Sequence, residues 1–203
     1  MRKLLLDRHE NNKIVLDAIK NVKSFGIPLR TQAIVGLPVM KPSKQINSAH
    51  SKLSLVDHEG KEHYYDDPLQ ESLKCLDLVC SSYFRKEDYY WNAIYSPFPG
   101  TPLGDYTIAA GFATGETVSK AYLFNAESGL NCFSDQISRK QIAFSLTSNF
   151  FAHFKNGKEL MSLFIYEGKN FDLDYFSRFV SQKSGLMEPS DQTSTCGLMP
   201  NVS

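Results

Sequence analysis

Neither sign of charge dominates this chain of 203 residues, in which 22 basic side chains balance 22 acidic ones. Without a net field or a local basic patch, nucleic acid and anionic membrane surfaces drop out as expected partners. A small ligand of neutral or mixed charge is expected in their place. Close cysteine pairs are missing as well. Cys75, Cys80, Cys132 and Cys196 form no C-x-x-C motif and no histidine stands at a matching spacing, so a zinc site is unsupported and the four read as buried or free thiols of a reducing cytosol. No apolar run approaches the roughly 20 residues that cross a bilayer. Met1-Arg2-Lys3-Leu4-Leu5-Leu6 falls short of the roughly 7–15 apolar residues of a secretory core. A soluble, cytoplasmic protein is expected. There is no P-loop, no G-x-S-x-G elbow and no Cys/His order suggesting a nucleophile.

What the chain does contain is enough apolar residue, 42%, to bury a core. Leu4 to Leu6 is a short apolar run, the tail of a strand or the start of a loop. Asn11 and Asn12 are good N-caps, and Ile14, Val15, Ala18, Ile19 and Val22 recur at helical spacing until Phe25-Gly26, which predicts an amphipathic helix. Pro28 stops it, and Leu29 to Val35 reads as a strand with Ile34 and Val35 at its buried end, breaking at Gly36-Leu37-Pro38. Residues 39–67 are polar and read as an insertion carrying a small hairpin turned at Glu59-Gly60. Pro68 suits the first turn of a helix through Leu69, Leu73, Leu76 and Val79. Tyr89 to Ser96 is rich in strand formers and stops at Pro97-Phe98-Pro99-Gly100. Thr101 as N-cap with Pro102 behind it opens a helix that ends by Gly111.

Strands joined by helices predict a parallel sheet, in an α/β fold of the partial (β/α) barrel or open-sheet kind with roughly three βα units. From Ser134 the pattern is helical only. Ile137, Ile142, Phe144, Leu146, Phe150, Phe151 and Phe154 predict one long helix, and Leu160–Ile165 and Phe171–Val180 predict two more. The domain reading is a partial barrel over 1–115 with its insertion at 39–67, a helical extension over 116–187, and a polar, disordered tail over 188–203.

Parallel βα units bind ligands beyond the carboxyl ends of their strands. Gly36 and Gly100 stand there, where a missing side chain either lets a flat ligand approach the backbone or merely permits a tight turn. His58 and His63, with Asp57, Glu59 and Glu62, could be drawn as a metal cluster, but such density on an insertion is normally a solvated surface. Asp66-Asp67 suits a helix start better than paired carboxylates. His9 and His153 have no visible partner.

Two motifs, Gln32-Ala33-Ile34-Val35-Gly36-Leu37-Pro38 and Ser96-Pro97-Phe98-Pro99-Gly100-Thr101-Pro102-Leu103-Gly104 with the later Gly111-Phe112, resemble the second half of radical S-adenosylmethionine enzymes, especially the cobalamin-binding kind. The resemblance covers roughly residues 1–112, Leu6-Asp7-Arg8-His9 and the helix to Gly26 included. It implies that Gln32, Ile34, Gly36 and Leu37 line the adenine side of an S-adenosylmethionine pocket, with Arg8 at its polar part. Trp91, Asn92 and Tyr95 would lie on the neighbouring, substrate-facing strand, where alternation sends one parity inward and the sequence leaves open which.

The family's C-x-x-x-C-x-x-C motif, whose thiolates hold a [4Fe-4S] cluster, is absent, and Val39-Met40 with a long insertion replaces the usual Gly-Glu. The resemblance therefore implies the C-terminal part of such an enzyme, a fragment or one half of a split one. A partner carrying the cluster motif would supply the iron and any cobalamin. The alternative is a non-catalytic interaction module derived from the same fold, and an unrelated small α/β enzyme is the third reading. A part-barrel leaves unpaired edges, so a marginal monomer in need of a partner is expected.

Overall fold

In the computed structural model of the chain, which describes residues 11–41, 55, 59–65, 67–82, 84–113 and 129–190, the Asn11 side chain accepts from the Ile14 N–H at 3.0 Å and starts helix α1 (Asn12–Ser24). This is the expected N-cap. The chain turns at Phe25-Gly26 and enters strand β1 (Arg30–Val35). Helix α2 (Gln70–Cys80) returns it to strand β2 (Tyr89–Ile94). Asp67 prepares that helix, its Oδ1 accepting from the Leu69 N–H at 2.9 Å. The two strands pair in parallel with Arg30 opposite Tyr89 and Val35 opposite Ile94.

Among the described residues the fold is α/β, with one two-stranded parallel sheet and six α-helices. A third βα unit would need Leu4 to Leu6, which lie outside the described residues.

Alternation along the strands settles which side chains are covered. Val35, Tyr90, Asn92 and Ile94 are buried on the face where the helices pack. Arg30, Gln32 and Ile34 of β1 alternate with them and stay exposed. The expectation that Ile34 and Val35 share a buried end is corrected here: Val35 is 1% exposed and Ile34 53%, because successive strand residues point to opposite faces and Val35 is on the face that joins the core.

Helix α3 (Pro102–Ala109) follows β2, with Thr101 Oγ1 accepting from the Gly104 N–H at 3.1 Å as predicted for its cap. Helix α4 (Asp135–Ala152) is capped by Ser134 and packs along β2. Helices α5 (Gly157–Glu167) and α6 (Leu173–Lys183) complete the extension. The extension is not a separate body, since Phe144, Phe151 and Phe164 belong to the same apolar core as Val35, Leu76 and Tyr90. Phe164 sits at its centre with ring centroids 5.7 Å from Phe151 and 5.3 Å from Phe179.

Within α4 the predicted apolar face is only partly right. Leu146 is 74% exposed, while Gln141 and Ser148 are buried. Two turns apart, they put a polar seam on the face that meets the sheet. The tail boundary also moves: residues 188–190, expected to be disordered, pair with the α4–α5 turn, the Lys155 N–H donating to Glu188 C=O at 2.7 Å and the Ser190 N–H to His153 C=O at 2.8 Å. Residues 191–203, Cys196 among them, lie outside the described residues.

At the amino ends of the strands a buried ion pair joins four segments. Lys23 of α1 lies 2.6 Å from Asp88, and the two side chains are 8% and 0% exposed. Lys23 Nζ also donates to Ser82 C=O beyond α2 at 3.1 Å. Asp88 accepts from the N–H groups of Leu29, just before β1, at 2.7 Å and of Arg85 at 2.8 Å. Burial raises the affinity of this carboxyl for its proton, but the Lys23 bond, the two backbone donors and the Lys23 charge outweigh it and hold Asp88 below the ordinary carboxylate range.

Candidate functional site at the strand ends and open face

Beyond the carboxyl end of β1 the backbone turns at Gly36, whose φ is +70°. The turn needs glycine twice over. A Cβ there would be in the left-handed region, costing an L-residue about 1–2 kcal/mol, and would stand 3.2 Å from Cδ of Gln141. The Gly36 N–H donates to Ser72 Oγ of α2 at 3.3 Å. What approaches this glycine is thus the chain's own Gln141 amide. That side chain is 1% exposed, and neither its nitrogen nor its oxygen has a partner among the described residues.

Leu37 leads into a second apolar cluster that closes the carboxyl end of the sheet, made of Val39, Leu55, Tyr95, Leu103, Tyr106 and Phe133 among others. The insertion contributes to it directly. The Tyr65 N–H donates to Val39 C=O at 2.9 Å, and the His63 N–H to Leu55 C=O at 2.8 Å. Glu59-Gly60, where the hairpin turn is expected, lies between these two residues; Asp57 and His58 lie outside the described residues.

The Pro97-to-Gly104 turn is built around a close backbone approach. Thr101 Oγ1 donates to Phe98 C=O at 2.7 Å, and a Cβ on Gly104 would fall 1.9 Å from that same carbonyl oxygen. The Gly100 N–H is held by Asp105 Oδ1 at 2.8 Å.

Of the residues expected to face a ligand, Gln32, Ile34 and Trp91 share the face of the sheet turned away from Val35 and Tyr90, with Gln32 directly opposite Trp91 in the register and Trp91 half-buried. Beside them Arg30 lies over the Tyr89 ring at 5.8 Å. Asn92 is on the opposite, helix-covered face, where its amide donates to Ser148 Oγ of α4 at 2.5 Å. Tyr95 belongs to the second cluster, its hydroxyl 3.1 Å from Thr107 Oγ1, and burial pushes that hydroxyl up to about 12 so that it keeps its proton. Trp91 and Asn92 of β2 and Tyr95 just beyond it therefore divide among three environments. Arg8 and His9 lie outside the described residues.

The geometry also places the groups with no expected role. Asp67 Oδ2 accepts from the Tyr166 hydroxyl, so this carboxylate is tied into structure; its neighbour Asp66 lies outside the described residues. His153 stacks edge-on with Phe84 at 5.0 Å. Among the described residues no group of three or more His, Cys, Asp or Glu is placed to hold a metal. Cys75 and Cys80 are on α2, behind the sheet, and Cys132 lies against the second cluster. None of these three is in a disulfide. Burial pushes the Cys80 thiol up to about 12 and that of Cys132 up to about 11, the opposite of what a thiolate ligand or nucleophile needs.

Sequence reading missed Gln141, Ser72 and Ser148. For Gln141 and Ser148 the signal was present in α4, where a polar residue recurs seven positions on from Gln141, two helical turns along one face; Ser72 of α2 carried none. Among the described residues no helix is long and apolar enough to cross a membrane. No family model, no curated protein and no solved structure matches the chain.

Proposed function

We propose that this chain is the C-terminal part of a radical S-adenosylmethionine barrel, the wall on the cofactor's adenine side, acting with a second polypeptide segment that carries the iron–sulfur motif. The observation that carries the reading is the make-up of the sheet face turned away from Val35 and Tyr90. Gln32, Ile34 and Trp91 stand side by side on it, an apolar surface flanked by an amide, at strands whose carboxyl ends break at Gly36 and Pro97. Ile34 is suited to lie against a flat purine and Gln32 to meet its polar edge. The third βα unit belongs to the same proposal.

The residues do not fit the cluster. The thiols of Cys75 and Cys80 lie behind the sheet, so the chain's own part is to bind and orient the adenosyl group and exclude water around it. When bound elsewhere in the assembly, the cluster and cofactor would supply reductive cleavage to a carbon radical. Cobalamin would come with the same missing segment.

Copurification of the tagged full chain with a polypeptide bearing C-x-x-x-C-x-x-C, followed by titration of that complex with S-adenosylhomocysteine, tests the proposal. Saturable binding weakened at least tenfold by Ile34→Asp is expected. A complex that binds no adenosyl ligand, or binds it equally after that substitution, refutes it.

The alternative of a non-catalytic interaction module draws on a specific observation. The Gln141 amide already fills the space beside Gly36, where a ligand of this fold would approach the backbone. Recovery of partners without the cluster motif, together with no adenosyl binding, favours that alternative.

A further inference from the structure

Arg139, Ile142 and Leu146 recur along α4 at intervals of three and four, which places them on one face of the helix. Facing them, the chain crosses from α5 to α6 through Asn170, Phe171 and Asp172. Between the helix face and this crossing lies a cavity of about 220 Å³, lined by both sets of residues. Leu146, the leucine that the predicted apolar face of α4 left unexplained, forms part of its wall.

Floor and rim differ in chemistry. Ile142 and Phe171 pack on the apolar core beneath, and the Phe171 ring is held edge-on at 5.6 Å from Phe164 and 6.0 Å from Tyr175. The floor is therefore apolar and fixed in place. The rim carries one full charge of each sign. Arg139 is exposed on α4. Asp172 caps α6, its Oδ1 accepting from the Tyr175 N–H at 2.7 Å, which orients the carboxylate and leaves Oδ2 for another donor. Arg139 and Asp172 line the same cavity, yet they form no ion pair among the described residues.

Opposite charges that share a cavity without meeting, over an apolar floor, are complementary to a molecule that carries the reverse pair of charges and an apolar body. Size narrows the class. A cavity of about 150 Å³ holds benzene with its six carbons, so by proportion about 220 Å³ suits a compact molecule of about nine non-hydrogen atoms. Leucine and isoleucine have that many. We infer that this cavity on the helical extension is a binding site for a free aliphatic α-amino acid, with Arg139 pairing with the carboxylate, Asp172 with the ammonium, and Ile142, Leu146 and Phe171 holding the side chain. Arg suits the carboxylate because its planar fork offers two parallel N–H donors. Both charges are exposed and screened by salt, so the dissociation constant is expected on the order of 1 mM, weak enough to follow the concentration of the free amino acid. None of these residues lies on the sheet, so the inference is independent of the adenosyl reading.

Titration of the isotope-labelled full chain with leucine, followed by NMR at the amides of Leu146, Asn170 and Asp172, tests it. Saturable shifts are expected. Isocaproate, which lacks the ammonium, and isoamylamine, which lacks the carboxylate, should each bind at least threefold more weakly. Arg139→Gln should weaken leucine at least threefold and leave isoamylamine unchanged. Asp172→Asn, which keeps a good N-cap, should weaken leucine by a similar factor and leave isocaproate unchanged. Both variants should melt at the native temperature. Shifts that fail to saturate at tens of millimolar leucine overturn the inference, as does equal affinity for the three probes, which would mark a merely apolar crevice, or native affinity for leucine in both variants.

Discussion

Replacing Asp88 by asparagine removes one negative charge from a site where the side chain is wholly enclosed. The carboxylate accepts three bonds there: from Lys23 at 2.6 Å, Leu29 N–H at 2.7 Å and Arg85 N–H at 2.8 Å. Asparagine keeps one oxygen, so one of the two backbone donors loses its acceptor and faces an amide nitrogen instead. Lys23 is left buried beside a neutral group. Removing one partner of such a pair costs about 3–5 kcal/mol, more than the pair is worth as a net contribution, because the remaining charge has been taken out of water. For a chain of this size that is a fall in melting temperature of roughly 10 °C.

Urea denaturation of the native chain, Asp88→Asn, Lys23→Met and the double variant measures it. The double variant should be less destabilised than the sum of the singles. The pH dependence has a definite sign. Asp88 titrates below its ordinary value in the folded chain, so the unfolded chain binds the proton first and the stabilisation is complete above the unfolded value of about 3.9. It is lost as pH falls through the lower folded value, and the gap between native chain and Asp88→Asn should narrow there. A gap that stays constant from neutral to about pH 3, or single variants whose costs add without coupling, would refute the reasoning.

Other consequences are measurable by the same means. Gln141→Leu removes a buried amide with no partner among the described residues and should raise stability by about 1–3 kcal/mol in urea; a loss would show that the amide has a partner in solution. Asn149→Ala leaves the Tyr90 N–H without its acceptor, and a drop of about 1–3 kcal/mol is expected in the same titration. Phe164→Ala empties the centre of the aromatic cluster and should cost about 3–5 kcal/mol by thermal melting. Alkylation at about pH 8 should leave Cys80 and Cys132 unmodified in the folded chain, since burial raises both thiols; rapid labelling of either by mass spectrometry would contradict their placement.

The local signals in the sequence were strong where one residue type has one physical use. Asn11 and Thr101 cap helices as their positions suggested, and Pro28 and Pro97 separate helix from strand and strand from turn. What periodicity could not supply was the environment on either side of an element. Ile34 and Val35 are equally apolar neighbours, and only which face the helical core packs on leaves Ile34 at the surface and Val35 inside. Asn92 and Trp91 are likewise adjacent, yet Ser148 of a helix 56 positions later claims one of them. The candidate site was legible as a pair of glycine-bearing strand ends. Its lining was not, because Gln141 reaches Gly36 from α4, a helix assigned in sequence to a separate extension.

The Asn149 contact with the edge of β2 has a bearing on solubility. A sheet with two bare edges can pass strand pairing from molecule to molecule without limit, the geometry of cross-β fibres. On β2 the outward Tyr90 N–H is already taken by a helix side chain, so it is not available to a strand of another copy. Edge-to-edge growth through β2 would first have to displace that helix side chain, a local cost that works against fibre-like pairing on this side.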